Sequence, residues 1–194
     1  MNITLLELAE LAQKIGSILE RHSIRYHLTG GVVASYYGES RNTQDVDIVI
    51  DITACRNSKA LFDDLKKEFL IDERTFNDAI RLKSMFQVLD MKTMLRADIY
   101  TDSVLSSSFD HLVPVDLVDE IILPVASPED SILSKLHWIK LGSGRSRKDV
   151  VAMLRVQQNL NTAYLETAAE QLGVTEILGE LRKIADNYDP NVIL

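Results

Sequence analysis

Apolar residues near the start of the chain recur every three or four positions, at Leu5, Leu8, Ala12, Ile15 and Leu19. This spacing predicts an amphipathic helix over about residues 3–21. The same spacing predicts a second helix over 56–69. Shorter apolar runs, bounded by turn residues, predict strands over 24–29, 45–51, 79–89 and 93–101.

The second half of the chain changes from extended to helical patterns. A short helix is predicted over 103–110 and extended segments over 113–115 and 121–125. Ser127-Pro128-Glu129-Asp130 is a helix start, with Ser as cap, Pro at the first position and acids at the positive end of the dipole. Four helices are predicted from there, over 128–141, 146–158, 162–172 and 175–188. The layout therefore predicts an α/β core over residues 1–126 and a helical C-terminal region over 127–194, packed on the core.

The most informative segment is residues 26–51, YHLTGGVVASYYGESRNTQDVDIVID. Gly30-Gly31 breaks a short strand, a helix and a loop follow, and the next strand begins with Asp45-Val46-Asp47. Side chains alternate along a strand, so Asp45 and Asp47 point the same way, roughly 6–7 Å apart. Two like charges on one strand face are unfavourable unless a cation lies between them, and divalent metal ions take carboxylate oxygens as ligands.

This segment resembles the nucleotidyltransferase superfamily, the fold of the DNA polymerase beta type. The signature of that family is a Gly-Gly or Gly-Ser pair followed by an acidic-apolar-acidic triplet on the next strand. Gly30, Gly31, Asp45 and Asp47 match it in identity and spacing. The stretch GESRNTQDVD is most similar to the AbiEii-type toxin and lincosamide-type branches. The resemblance implies a nucleotidyltransferase-type mixed β-sheet core flanked by helices, with a C-terminal helical extension.

The family also has a third carboxylate in a later strand, and Asp98 between Ala97 and Ile99 fits it. Asp90 and Asp102 compete for this role, but both lie in predicted turns. The resemblance implies that Asp45, Asp47 and Asp98 bind Mg²⁺ or Mn²⁺ and form the catalytic centre. Asp98 is then expected to help deprotonate the attacking hydroxyl near the metal.

The implied activity is transfer of NMP from an NTP, such as ATP, to a hydroxyl group. The acceptor is a tRNA end, a protein side chain or a small molecule. The AbiEii-like features favour the toxin of a toxin–antitoxin pair, with an antitoxin or regulator protein as partner. An antibiotic-type small-molecule transferase is the nearest rival.

Several further residues are candidates for phosphate binding. Gly30 and Gly31 let backbone N–H groups approach a triphosphate, and the helix that follows presents its positive end; the alternative is a plain strand-to-helix turn. Arg41 is either a bidentate phosphate ligand or a surface charge. Thr43 either contacts a phosphate or caps the loop.

The helical region adds two candidates. In related toxins a lysine on the helix after such a start signal reaches the active site, so the resemblance implies a catalytic and nucleotide-binding role for Lys135. Arg147 belongs to a similar basic stretch and is a further nucleotide-binding candidate. The alternative for both is an ordinary solvated helix face.

Composition limits the other possibilities. Of 194 residues, 46% are hydrophobic and 26% charged, which is ordinary for a globular protein, and a single cysteine excludes an internal disulfide and a thiolate zinc cluster. No apolar run approaches the roughly 20 residues that span a bilayer, and the N-terminus lacks a basic signal region, so a cytoplasmic location without membrane partners is expected.

The net charge of −8 argues against a large nucleic-acid footprint, but the charge is uneven. Residues 102–130 contain seven acidic and no basic side chains, whereas 130–155 contain six basic and two acidic ones. The basic segment suits a phosphate-rich ligand or is a solvated helix face.

Two non-enzymatic hypotheses remain beside the transferase. The fold can persist as a nucleotide-binding or regulatory module, although such a module has no reason to retain two repelling aspartates. Alternatively, the N-terminal helix and the acidic 102–130 segment dock a partner protein, which does not exclude enzymatic activity.

Overall fold

The structure is a computed structural model that describes residues 3–188. These residues form eight α-helices and one seven-stranded sheet. They divide into two compact units. The first contains the described residues up to Val32 and Asn42–Val125; the second contains Val33–Arg41 and the described residues from Ala126 onward. This division differs from a single cut at residue 126, because 33–41 belongs with the helical residues.

Up to residue 125 the elements follow in the order α1 (Leu5–Arg21), β1 (Tyr26–Thr29), α2 (Gly30–Tyr37), β2 (Asp45–Ile50), α3 (Ser58–Leu65), β3 (Phe69–Leu70), α4 (Glu73–Leu82), β4 (Met85–Asp90), β5 (Arg96–Tyr100), β6 (Val113–Asp116) and β7 (Ile122–Val125). The sheet order is β3-β4-β5-β2-β1-β7-β6. The pairs β2/β5 and β1/β7 are parallel and the other four are antiparallel, so the sheet is mixed, as the family resemblance implies.

The central strands separate apolar and polar side chains onto opposite faces. On β2, Val46 and Ile48 are buried and alternate with Asp45 and Asp47. The buried face packs against helices: α1 contacts β1 and β2, and Phe76 of α4 meets Phe86 of β4 with ring centroids 5.0 Å apart. The opposite face carries the polar side chains of β2, β5 and β4, together with the apolar Val49, Met85 and Leu89.

Most predicted elements of the first unit are confirmed, but two predictions are wrong. The predicted strand over 79–89 begins only at Met85, because 73–82 form α4. The Asp72 side chain caps this helix, and Lys83 ends it with a left-handed backbone at φ 51°. Residues 103–110 form turns and bends instead of a helix. The predicted helix over 56–69 is present in shorter form as α3, because residues 66–68 form a turn that leads into β3.

The second unit is helical after residue 127, as predicted, with α5 (Pro128–Lys140), α6 (Arg145–Val156), α7 (Thr162–Leu172) and α8 (Thr175–Asp186). The Ser127 side chain accepts the Asp130 N–H and Pro128 takes the first position, which confirms the start signal. The core of this unit includes Ile132, Leu136, Val150, Met153, Leu165 and Leu181.

Gly38 in the 33–41 segment packs closely on α6. A Cβ atom built on Gly38 would lie 3.1 Å from Ala152 Cβ. No helix in residues 3–188 combines the length and the apolar character needed to cross a bilayer.

Candidate active site

The three predicted carboxylates lie on one face of two adjacent strands. In the parallel pairing of β2 with β5, Asp47 is opposite Asp98 and Asp45 is opposite Arg96. Residues in register on neighbouring strands project to the same face, about 4.8 Å apart. Asp45, Asp47 and Asp98 therefore form one acidic face, as the prediction of a shared site requires.

The glycine pair lies directly against this acidic face. Gly30 has φ +68°, a backbone conformation that L side chains rarely adopt, and a Cβ built there would lie 1.8 Å from Asp47 Oδ2. The Gly31 N–H donates to the same oxygen at 3.3 Å. The glycines thus allow the start of α2 to approach a carboxylate, while their role in phosphate binding stays a prediction.

Three polar residues that the sequence analysis did not select also occupy this face. Arg96 donates to Asp45 Oδ2 at 2.7 Å, and Gln87 Nε2 donates to Asp98 Oδ1 at 2.7 Å. The Tyr100 hydroxyl donates to Asp47 Oδ1 at 3.4 Å. The alternation Arg96-Ala97-Asp98-Ile99-Tyr100 would have indicated two of them, whereas Gln87 follows only from the pairing of β4 with β5.

The three carboxylates influence the pKa values of the same two neighbours, Arg96 and Tyr100. The hydrogen bond to Asp45 raises the pKa of Arg96, and the charges of Asp98 and Asp47 add to it. Burial raises the pKa of the Tyr100 hydroxyl, and the neighbouring charges of Asp47, Asp98 and Asp45 raise it further. The face therefore holds a concentrated negative charge that favours cations.

The donor set suits Mg²⁺ or Mn²⁺, since hard divalent ions bind carboxylate oxygens. Within residues 3–188, however, no three Asp, Glu, His or Cys side chains are grouped closely enough to hold an ion. Asp45 and Asp98 each direct one oxygen to another partner, to Arg96 and to Gln87 respectively. The residues fit such an ion by the chemistry of their oxygens and by strand register, but their side chains are not grouped to hold one in this structure.

Thr43 lies beside the first of these aspartates. Its hydroxyl is 3.3 Å from Asp45 Oδ1 and donates to it. The contact is compatible with capping of the loop, and the predicted contact of Thr43 with a phosphate is untested.

The competing aspartates are placed differently. Asp90 is buried at the end of β4 and pairs with Lys14 of α1. Burial works against its ionisation, but the hydrogen bonds from Lys14 and Thr93 lower the pKa of Asp90 to about 2. Asp102 follows the end of β5 and lines a separate cavity of about 260 Å³ together with Arg25 and Lys83. Asp98 is thus the acid that β5 presents beside Asp47.

In the second unit, two predicted phosphate ligands meet on one carboxylate. Arg41 donates from Nε and one terminal nitrogen to the two oxygens of Asp149, at 2.8 and 3.0 Å. Lys135 Nζ donates to Asp149 Oδ2 at 2.6 Å. Lys135 is only 8% exposed, so the alternative of a solvated helix face is wrong for this residue.

This cluster of Arg41, Lys135 and Asp149 has two positive charges and one negative charge. Burial tends to raise the pKa of the Asp149 carboxyl, but the hydrogen bond from Arg41 and the charge of Lys135 hold it below its usual value. Arg147 lies on the same helix as Asp149 but pairs with Glu180 of α8. Its predicted role in nucleotide binding is untested.

Comparisons with known proteins give the fold. No protein-family model matches the chain, and no curated protein sequence matches it. Among solved structures, an antigenic nucleotidyltransferase-like protein from Paracoccidioides brasiliensis is similar, with a TM-score of 0.55 and 16% identity over 92% of this chain and 91% of that one.

Two antibiotic-resistance proteins are similar as well. The lincosamide antibiotic adenylyltransferase LnuA, solved with lincomycin, gives a TM-score of 0.51 and 16% identity over 81% of this chain and all (100%) of that one. The antibiotic-resistance factor ANT(2″)-Ia gives a TM-score of 0.52 and 13% identity, over 95% of this chain and 94% of that one. At these identities the likeness concerns the fold, and it confirms the nucleotidyltransferase-type fold that the sequence predicts.

Proposed function

We propose that this protein is a metal-dependent nucleotidyltransferase that moves NMP from an NTP to a hydroxyl acceptor. The observation that carries the proposal is the register of Asp47 opposite Asp98 on β2 and β5, with Gly30 pressed against Asp47. The fold supports it. A non-catalytic module has no need for three acidic side chains on one face of two adjacent strands, where they repel one another.

In the proposed reaction the acceptor oxygen attacks the α-phosphorus in line, the bond to the bridging oxygen breaks, and pyrophosphate leaves. Asp45, Asp47 and Asp98 would hold Mg²⁺ or Mn²⁺, which neutralises charge on the phosphates. Asp98 takes the proton of the acceptor hydroxyl, and its bond from Gln87 leaves the second carboxylate oxygen for that task. The N–H groups at the start of α2 bind phosphate oxygens.

Arg41 and Lys135 remain the proposed phosphate ligands of the helical region. Their cluster with Asp149 brings two cations to one carboxylate. Two cationic side chains held together in a largely buried place attract an anion, and guanidinium and ammonium groups both bind phosphate oxygens.

The direct test is incubation with each labelled NTP, Mg²⁺ and a cell extract, followed by separation of protein, RNA and small molecules. Label in RNA or protein would support the toxin-type activity, with an antitoxin or regulator as partner. Asp47→Asn and Asp98→Asn are the inactive controls. NTP binding without any transferred label in all three fractions would favour the regulatory module.

An antibiotic-type acceptor is the second candidate. Two similar solved structures are antibiotic-resistance proteins by their names, one of them bound to lincomycin. The same assay with a panel of lincosamides and aminoglycosides in place of the extract tests this candidate, since label would then move to the antibiotic.

A further inference from the structure

Arg96 occupies a distinctive position on the acidic face. It is the β5 residue in register with Asp45, and its guanidinium donates to Asp45 Oδ2 at 2.7 Å. Asp98 and Asp47 also lie close enough to stabilise its charge. The Arg96 guanidinium therefore pairs with Asp45 and lies within the electrostatic influence of Asp47 and Asp98.

The contact between Arg96 and Asp45 competes with metal binding. The oxygen that Arg96 engages belongs to a predicted metal ligand, and a divalent ion at the same face would bring another positive charge against the guanidinium. In residues 3–188 no three acidic, His or Cys side chains are grouped to hold an ion in the present arrangement. An ion that takes Asp45 Oδ2 as a ligand therefore competes with Arg96 for that oxygen.

The Arg96 side chain can move away from Asp45. Its side chain is 46% exposed, so movement away from Asp45 opens no buried void and requires no repacking of the core. Its backbone is fixed within β5, which keeps the released guanidinium beside the acidic face. An Arg side chain released there is suited to a phosphate oxygen, which it binds through parallel N–H groups.

We propose that Arg96 is a displaceable counter-ion that holds Asp45 in the absence of metal and transfers to a phosphate of the nucleotide when metal and NTP bind. In the metal-free state it positions Asp45, and in the loaded state it binds the nucleotide directly. The inference rests on the proposed function, since it requires that the acidic face binds a metal and a nucleotide. It predicts that metal alone binds weakly and that metal and nucleotide strengthen each other's binding.

The chain offers a matched control in Arg25. Its guanidinium donates to Asp51, the residue after β2, at 2.7 Å, and its side chain is 60% exposed. Arg25→Gln thus removes the same charge from the same kind of ion pair at the other end of the same strand. Arg96→Lys keeps the charge but loses the planar donor geometry.

The experiment measures binding of Mn²⁺ by calorimetry and by electron paramagnetic resonance, with and without a non-hydrolysable NTP analogue. Arg96→Gln is expected to bind Mn²⁺ alone about tenfold more tightly, the order expected when one nearby positive charge is removed at a half-exposed site. Its gain in Mn²⁺ affinity on adding the analogue should be about tenfold smaller than in the wild type. Arg25→Gln should match the wild type, and Arg96→Lys should lie between the two.

Two results would overturn the inference and are distinguishable. If Arg96→Gln binds Mn²⁺ like the wild type while Asp47→Asn abolishes binding, the metal site exists and Arg96 does not compete for it. If neither the wild type nor any variant binds Mn²⁺, even in the presence of the NTP analogue, the proposed function fails together with the inference. Thermal unfolding of each variant without metal verifies that the compared proteins are folded.

Discussion

Asp47 and Asp98 lie directly opposite each other on the adjacent parallel strands β2 and β5. This register determines the chemistry of the site, because a shift of one residue would turn the Asp98 side chain to the apolar face. The buried residues Ala97 and Ile99 on either side of Asp98 oppose such a shift. The packing of the core thereby keeps the two carboxylates together.

Asp47→Asn should abolish nucleotidyl transfer and leave the fold intact. The change removes a metal ligand and also reduces repulsion on the acidic face, so stability without metal should be equal or slightly higher. Transfer of labelled NMP and thermal unfolding measure the two effects. Full activity with Mg²⁺ would contradict the assignment, as would a variant that does not fold.

Gly30→Ala should both destabilise the protein and impair transfer. A non-glycine residue at φ +68° is disfavoured by about 1–2 kcal/mol, and the new Cβ would displace the Asp47 carboxylate. Gly179→Ala is the control, because Gly179 lies in helix α8 and a Cβ atom there would have nothing within 4 Å, so this change should stabilise by about 0.5–1 kcal/mol. Urea unfolding and transfer assays compare the stability and activity of the two variants. Unchanged activity of Gly30→Ala would refute the proposed role of the Gly30–Asp47 contact.

Asp149→Asn should destabilise the protein by about 2–4 kcal/mol at pH 7, because Lys135 and Arg41 lose their shared carboxylate. The folded-state pKa of Asp149 is lowered, so its contribution is fully present above its unfolded pKa of about 4. That contribution is lost as the pH falls through the lower folded-state pKa.

Urea unfolding of wild type and Asp149→Asn at pH 7, 5 and 3 measures this dependence. The difference between them should be largest at pH 7 and shrink below about pH 4. Asp63→Asn is a suitable control, because its ion pair with Lys59 is exposed to solvent and contributes little to stability. A difference that grows toward low pH would contradict the assigned ion pairs.

Lys135→Ala should weaken NTP binding or turnover by about tenfold to a hundredfold, the ~1.5–3 kcal/mol of a hydrogen bond to a charged group. Lys148→Ala removes an exposed positive charge from α6 and should have almost no effect on either. Calorimetric titration with NTP compares the variants. If Lys135→Ala lowers only the thermal stability and leaves NTP affinity unchanged, Lys135 serves the Asp149 ion pair alone.

The sequence predicted the elements whose patterns are local. The helix α5 follows from its Ser127 cap and Pro128, and β2 follows from the strict alternation of Asp45, Val46 and Asp47. Helix α4 has no predicted counterpart, and its last four residues fall within the strand predicted over 79–89. Only Phe76 and Ala79 of this helix are buried, and the apolar residues of β4 follow closely. The boundary between α4 and β4 depends on the left-handed backbone conformation of Lys83. Lysine has no preference for this conformation, so the sequence does not predict it.

The partners of the site residues were harder to predict, because they depend on register and not on sequence spacing. The bond from Gln87 to Asp98 requires that β4 pairs with β5 in one particular alignment. The meeting of Arg41 with Asp149 joins residues 108 positions apart. No local pattern identifies such a pair.

The pairing of β1 with β7 has a consequence for synthesis of the chain. Leu28 pairs with Val125, so one edge of β1 finds its neighbour only after nearly a hundred further residues have been made. Closing such long loops slows folding, and an unpaired strand edge invites association with other chains until it is covered. Nascent chains that stop before residue 122 should therefore bind chaperones and aggregate. Chains that include β7 cover this edge, so they should do neither after release from the ribosome.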